Sequence, residues 1–153
     1  MESNDCGAAS VALPLHNFYD RSKLSIMQNT KARILFADDH DDIRFMVTTL
    51  LGAYDYEVVT ADCVGSALEL AHSAAFDVYL LDNQLPDGTG SELCRRLREF
   101  DHDTPIVFFS GDAYESDRQR AFNSGAQEYV EKPNLTALKT AIARVLGIAQ
   151  TVH

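Results

Sequence analysis

Between Lys31 and Ile148 the chain alternates short apolar runs with stretches of helical periodicity. The apolar runs occupy residues 33–37, 57–61, 78–81, 106–109 and 128–130, and are rich in β-branched and aromatic side chains. They are mostly continuous rather than alternating, which predicts strands buried on both faces. Between them, residues 43–53 carry Ile43, Met46, Val47, Leu50 and Leu51 on one helical stripe, the pattern of a helix lying on a sheet. Residues 66–74, 91–100, 115–124 and 135–148 complete five predicted helices. Gly125 stands where a C-terminal cap ends the fourth.

Strand and helix therefore alternate five times, with connections that suit crossover helices. That order predicts a parallel sheet covered by helices on both faces. The size fits an α/β fold of the flavodoxin-like, doubly wound kind: a five-stranded parallel sheet, order 2-1-3-4-5, with five helices. Strands 1 and 3 are then neighbours, and ligands bind beyond their carboxyl ends.

Residues 1–30 differ from this pattern. They are rich in Ser, Asn and Ala and sustain no period, although Leu13, Leu15, Phe18, Tyr19, Leu24 and Ile26 are apolar. The reading leaves open disorder, a short docking helix, or translation starting at Met27. Residues 31–148 form the expected domain and 149–153 a tail.

The whole chain has 153 residues and 46% hydrophobic content, enough for one domain with a full core. Its net charge of −10 argues against direct nucleic-acid binding, which needs clustered Lys and Arg. An acidic balance fits a cation or a basic protein partner instead. Cys6, Cys63 and Cys94 share no C-x-x-C spacing and are odd in number. Reduced thiols in a cytoplasmic protein are expected. No apolar run has the length of a membrane span, and no basic segment precedes an apolar stretch at the N-terminus.

The predicted fold gathers an unusual set of side chains. The first strand ends in Asp38-Asp39 and the third in Asp82, so three carboxylates meet at one sheet edge. Two carboxylates about 5 Å apart repel by roughly 3 kcal/mol at an effective dielectric of ~20. A hard divalent cation relieves that repulsion. Mg2+ takes a few carboxylate oxygens, waters and a phosphate. The fourth strand ends in Ser110 and the fifth in Lys132. A hydroxyl and an ammonium at this edge can share the charge of a bound phosphoryl group. Asp82 is then the candidate nucleophile, forming an aspartyl phosphate.

Phe36-Ala37-Asp38-Asp39, the stretch from Leu81 through Asp82, Asn83, Gln84, Leu85, Pro86 and Asp87 to Gly88, Phe109-Ser110-Gly111, and Tyr129-Val130-Glu131-Lys132-Pro133 stand in order along the chain. Together, from Lys31 to about Ile148, they resemble the receiver domain of bacterial response regulators. The resemblance implies a two-component signalling protein whose Asp82 accepts a phosphoryl group from a histidine kinase or a phosphotransfer protein. It implies Mg2+ held by Asp39, Asp82 and the backbone carbonyl of Gln84, with Asp38 acting through a water. Ser110 and Lys132 would contact the phosphoryl group, and the Lys132-Pro133 peptide is often cis in the family. Ser110 and Tyr129 would form the switch, repacking the face of the fourth helix, fifth strand and fifth helix for a downstream protein partner. A monomer or a phosphorylation-dependent homodimer is implied. Gln84 and Asp112 occupy positions that tune phosphoryl lifetime in the family.

Plainer readings apply to other residues. Asp41 and Asp42 suit the first turn of a helix. His40 reads as a loop residue, because a hard oxygen site seldom needs imidazole. His16, His72, His102 and His153 form no spaced set. Arg95, Arg96 and Arg98 read as a solvated helix face, and the Pro86-Asp87-Gly88 stretch as a turn. The alternative function is a pseudo-receiver, a docking module that is never phosphorylated. A dehalogenase-type phosphatase needs D-x-D after its first strand, and a flavodoxin a Ser/Thr-rich phosphate loop; Asp38-Asp39-His40 suits neither. No effector domain follows the fifth helix, so the chain is read as a stand-alone regulator or a receiver from a longer protein.

Overall fold

The computed structural model of the protein describes residues 31–112 and 114–148. The extension 1–30 and the tail 149–153 expected from sequence lie outside the described residues. The strands are β1 (Arg33–Ala37), β2 (Glu57–Ala61), β3 (Val78–Leu81), β4 (Gln84–Leu85), β5 (Gly88–Thr89), β6 (Ile106–Ser110) and β7 (Glu128–Glu131). The helices are α1 (Asp41–Ala53), α2 (Val64–Ser73), α3 (Gly90–Arg98), α4 (Glu115–Ser124) and α5 (Leu135–Val145). Five strands form one parallel sheet in the order β2-β1-β3-β6-β7. This is the expected order 2-1-3-4-5 once the small β4-β5 hairpin is set apart.

Side chains alternate across a strand, and that divides the core into two layers. Ile34, Phe36, Val78, Leu80, Val107 and Phe109 face Val47, Leu51, Leu138 and Ile142 of α1 and α5. Leu35, Ala37, Tyr79, Leu81 and Phe108 face α2, α3 and α4 through Ala67, Leu93, Leu97 and Ala121. Both faces are covered, so the strands read as unbroken apolar runs. Each fully buried Leu, Ile or Phe contributes about 1.5–3 kcal/mol of transfer free energy.

Helix ends are fixed by specific side chains. Thr89 Oγ1 accepts from Glu92 N at 3.1 Å to start α3, and Asn134 Oδ1 from Ala137 N at 2.9 Å to start α5. Asp87, in the turn of the β4-β5 hairpin, reaches across to α2 and accepts from Val64 N at 2.7 Å and Gly65 N at 2.9 Å. Gly125 caps α4 with φ 120°, a left-handed backbone that a Cβ would disfavour.

Two expectations are corrected. Arg98 is not a solvated charge: its guanidinium donates to the carbonyls of Gly125, Asp101 and Thr104 and to Gln127 Oε1, tying α3 to the loops that lead into β6 and β7. Cys63 is disulfide-bonded rather than reduced. Cys94 is a buried free thiol donating to Ser124 O. Among the described residues no helix is long and apolar enough to cross a membrane.

Sheet register then places the carboxyl-end residues. Ala37 pairs with Leu81, and Asp82 N donates to Ala37 O at 2.9 Å, so Asp38 and Asp82 leave the sheet side by side. Lys132 N donates to Ser110 O at 2.9 Å, which aligns the ends of β6 and β7 in the same way.

Candidate functional site

At this edge Asp38 is fully buried and Asp82 is 3% exposed, while the Asp39 side chain is 36% exposed. Lys132 Nζ lies 2.7 Å from Asp38 Oδ2 and 3.3 Å from Asp82 Oδ2. One cation thus sits between two buried carboxylates. Asp82 Oδ1 accepts from Asn83 N at 2.8 Å. Burial pushes the Asp82 carboxyl above its ordinary range and the neighbouring Asp38 charge adds to this, while Lys132 and the Asn83 amide oppose it.

His40 is the residue that sequence reasoning set aside, and the structure brings it into the cluster. Its backbone N and its Nδ1 both meet Asp38 Oδ1, at 2.8 and 2.9 Å. Nδ1 also lies 3.1 Å from Asp39 Oδ1. The hydrogen bond to Asp38 raises the imidazole pKa above 6.5 against the opposing effect of burial. The available signal was adjacency: His40 follows the Asp pair directly and takes the N-cap position of α1. Asp41 and Asp42 do occupy the first turn of α1 as read. Arg44, also unflagged by sequence, donates to Asp38 O at 2.7 Å and pairs with Asp41.

The opposite wall comes from β6 and β7. Ser110 Oγ accepts from Asp112 N at 3.1 Å. The Asp112 carboxylate accepts from Asn83 Nδ2 at 2.7 Å and Gln84 Nε2 at 3.3 Å. Tyr129 is buried, donates to Asp112 O at 2.8 Å and stacks on Phe108, with the Arg118 guanidinium 5.2 Å from its ring centre. The Lys132-Pro133 peptide is cis. A crevice of about 360 Å³ opens between His40, Asp82, Gln84, Ser110, Asp112 and Lys132.

Ligand atoms of Asp38, Asp39, His40 and Asp82 all lie within 4.8 Å of one another. That spacing and the carboxylate donors fit a small divalent cation. On the far side Gly90 is packed so closely that a Cβ there would stand 2.3 Å from Asp82 O, so only glycine lets α3 approach the acceptor strand.

The model of the response regulator receiver domain family matches residues 34–143. The chain belongs to that family. As a receiver it is similar to transcriptional regulatory protein YxdJ of Bacillus subtilis, 34% identical over 121 residues, covering 75% of this chain and 52% of that protein. It is also similar to the cell cycle response regulator CtrA of Brucella ovis, 31% identical over 125 residues, covering 78% and 54%. The chain spans about half the length of the curated relatives it matches. Among solved structures, the receiver domain protein of Methanospirillum hungatei superposes with a TM-score of 0.73 at 29% identity, covering 76% of this chain and 94% of that one. Chemotaxis protein CheY4 of Vibrio cholerae gives 0.69 at 33% identity, covering 75% and 98%. The receiver of two-component signalling expected from the four sequence motifs is the fold and family found.

Proposed function

We propose that this receiver accepts a phosphoryl group on Asp82 from a histidine kinase or a phosphotransfer protein and signals by the change in packing that follows. The observation that carries the reading is the Asp82 carboxylate, set in a crevice with the Lys132 ammonium 3.3 Å away and Asp38 and Asp39 beside it. An Asp82 oxygen attacks phosphorus, and the donor leaves with the electrons of the broken bond. Lys132 favours the ionised nucleophile against the effect of burial and faces the incoming phosphoryl oxygens. Asp39, Asp82 and the carbonyl of Gln84 would hold Mg2+, with Asp38 acting through a water. The ion supplies positive charge to the phosphoryl oxygens. Hydrolysis returns phosphate and the carboxylate, so the domain catalyses only its own modification and its reversal.

Ser110 and Tyr129 carry the signal outward in this reading. A phosphoryl oxygen accepting from the Ser110 hydroxyl would draw Oγ toward itself and away from the Asp112 amide that donates to it. The Asp112 carbonyl in turn holds Tyr129. Changes there reach the face of α4, β7 and α5, where a downstream protein partner would dock. The pseudo-receiver alternative gains no support, since Asp38, Asp39, Asp82 and Lys132 are all present.

Incubation with acetyl phosphate or beryllofluoride, with and without magnesium, tests the reading. The expected result is one added phosphoryl mass that requires magnesium and is absent in Asp82→Asn. Addition that persists in Asp82→Asn would move the acceptor elsewhere.

A further inference from the structure

A groove of about 380 Å³ runs between α3 and α4, lined by Arg95 on one wall and by Ser116, Gln119, Arg120, Asn123 and Ser124 on the other. None of these residues lines the crevice at Asp82. Ser116, Gln119, Arg120 and Asn123 recur at i, i+3, i+4 and i+7, so they form one exposed polar stripe along α4. Arg118 and Phe122 belong to a different face of that helix, where the Arg118 guanidinium lies over the Tyr129 ring.

The chain carries a net charge of −10, yet no carboxylate lines this groove. Arg95 is exposed and, among the described residues, pairs with no acid. Arg120 Nη1 holds Asp117 at 3.0 Å on its own helix. Such an exposed pair adds little to stability and exchanges readily for a better-placed acid. Each wall therefore offers one guanidinium fork, the group that binds carboxylates bidentately. Gln119 and Asn123 carry both donors and acceptors and now satisfy each other at 3.2 Å. A peptide backbone needs both, whereas a phosphate needs donors alone. Size agrees with this choice. The volume is on the order of a dozen waters, more than a simple inorganic anion fills. From Ser116 to Asn123 the stripe is about 10 Å long at about 1.5 Å per residue, the reach of about three residues of extended chain.

We propose that the groove between α3 and α4 binds a short, extended, acidic segment of a protein partner. Arg95 and Arg120 take its carboxylates, and Gln119 and Asn123 take its backbone. This docking surface is separate from the face of α4, β7 and α5, and it does not depend on phosphoryl transfer at Asp82.

Fluorescein-labelled hexaglutamate is titrated into the full chain without divalent ions, in about 0.15 M salt, where exposed charges more than about 8 Å apart are largely screened. Anisotropy gives the affinity, and backbone amide and arginine Nε NMR signals give the place. Hexaglutamate is expected to shift Arg95, Gln119, Arg120 and Asn123. Arg95→Gln and Arg120→Gln should each weaken it at least about tenfold, the scale of one lost hydrogen bond to a charged group. Asn123→Leu keeps the net charge and should weaken it about fivefold, the scale of one neutral hydrogen bond. Arg96→Gln removes a neighbouring exposed charge outside the groove and should alter it less than about threefold. Unchanged amide signals in the sheet show that each variant still folds. No binding, shifts that fall outside the groove, or a loss in Arg96→Gln equal to that in Arg95→Gln overturns the proposal. Inorganic phosphate that shifts the same four residues at lower concentration than hexaglutamate also overturns it, in favour of a phosphate-bearing ligand.

Discussion

The Lys132 ammonium stands 2.7 Å from Asp38 Oδ2, joining residues 94 positions apart at the carboxyl edge of the sheet. Asp38 is fully buried and the Lys132 side chain is 14% exposed. Removing one partner of such a pair leaves a buried charge without its counterion, a loss of about 3–5 kcal/mol in the general case. His40 still bonds Asp38, so Lys132→Met is expected at the lower end, about 3 kcal/mol. Urea unfolding without divalent ions measures it. Asp38→Asn in the Lys132→Met background should recover part of the loss, since it removes the stranded charge. A Lys132→Met protein as stable as the wild type would show that the pair adds nothing to folding.

A half-buried carboxylate, Asp101, contributes to acid stability away from the site. Asp101 accepts from Tyr79 Oη and Thr104 Oγ1, both at 2.7 Å, and from the amides of Thr104 and Asp103. Burial raises its pKa, but these donors outweigh burial and hold it below 3.8. A folded-state pKa lowered in this way contributes stability above the unfolded value, lost as pH falls below about 3.8 through the lowered one. Tyr79→Phe is expected to cost about 1.5–3 kcal/mol at pH 7, as for other hydrogen bonds to charged groups. The cost should shrink in the acid limb of a pH series of unfolding curves. A cost that stays constant through the whole acid limb would detach it from Asp101 ionisation.

How much of this was legible in sequence follows from periodicity. β1 and β3 are buried on both faces, so Ile34 through Ala37 and Val78 through Leu81 are apolar without a break. Their order along the chain then placed Asp38, Asp39 and Asp82 at one edge before any coordinates. The β4-β5 hairpin shows only a turn signal in the sequence, because strands of two residues carry no period. Arg98 looked solvated since helical spacing cannot show that the carbonyls of Gly125 and Thr104 lie within its reach. His40 lies in a loop as the sequence suggests, but its hydrogen bond to Asp38 depends on the direction of one ring nitrogen, which residue type and spacing leave open.

Tyr129 is held by its ring and by its hydroxyl, and the two can be separated. The hydroxyl bonds Asp112 O at 2.8 Å, while the ring stacks on Phe108 at 5.9 Å and lies beneath Arg118. Tyr129→Phe loses one hydrogen bond and should cost about 1 kcal/mol. Tyr129→Ala also loses the buried ring and should cost about 3–5 kcal/mol. Chemical denaturation of both variants checks the order. Equal losses would mean that the hydroxyl alone holds the residue inward.

Gly90 offers the sharpest steric test of how the acceptor strand is seated. A Cβ at this position would meet Asp82 O at 2.3 Å, Phe108 Cε2 at 2.8 Å and Asn83 Cα at 3.1 Å. Two of these atoms are backbone of the segment that carries the acceptor, and the Gly90 amide donates to Asn83 O at 2.9 Å. Neither side can give without moving Asp82, so Gly90→Ala is expected to cost about 3 kcal/mol, the upper part of the overpacking range. Gly52→Ala supplies the contrast. Gly52 lies in α1 with no atom within 4 Å of an added Cβ, so the same substitution should stabilise by about 0.5–1 kcal/mol through helix propensity. Urea midpoints of the two variants should therefore move in opposite directions. A Gly90→Ala midpoint at or above that of the wild type would mean that α3 is free to withdraw from Asp82, and that the close approach does not seat the acceptor.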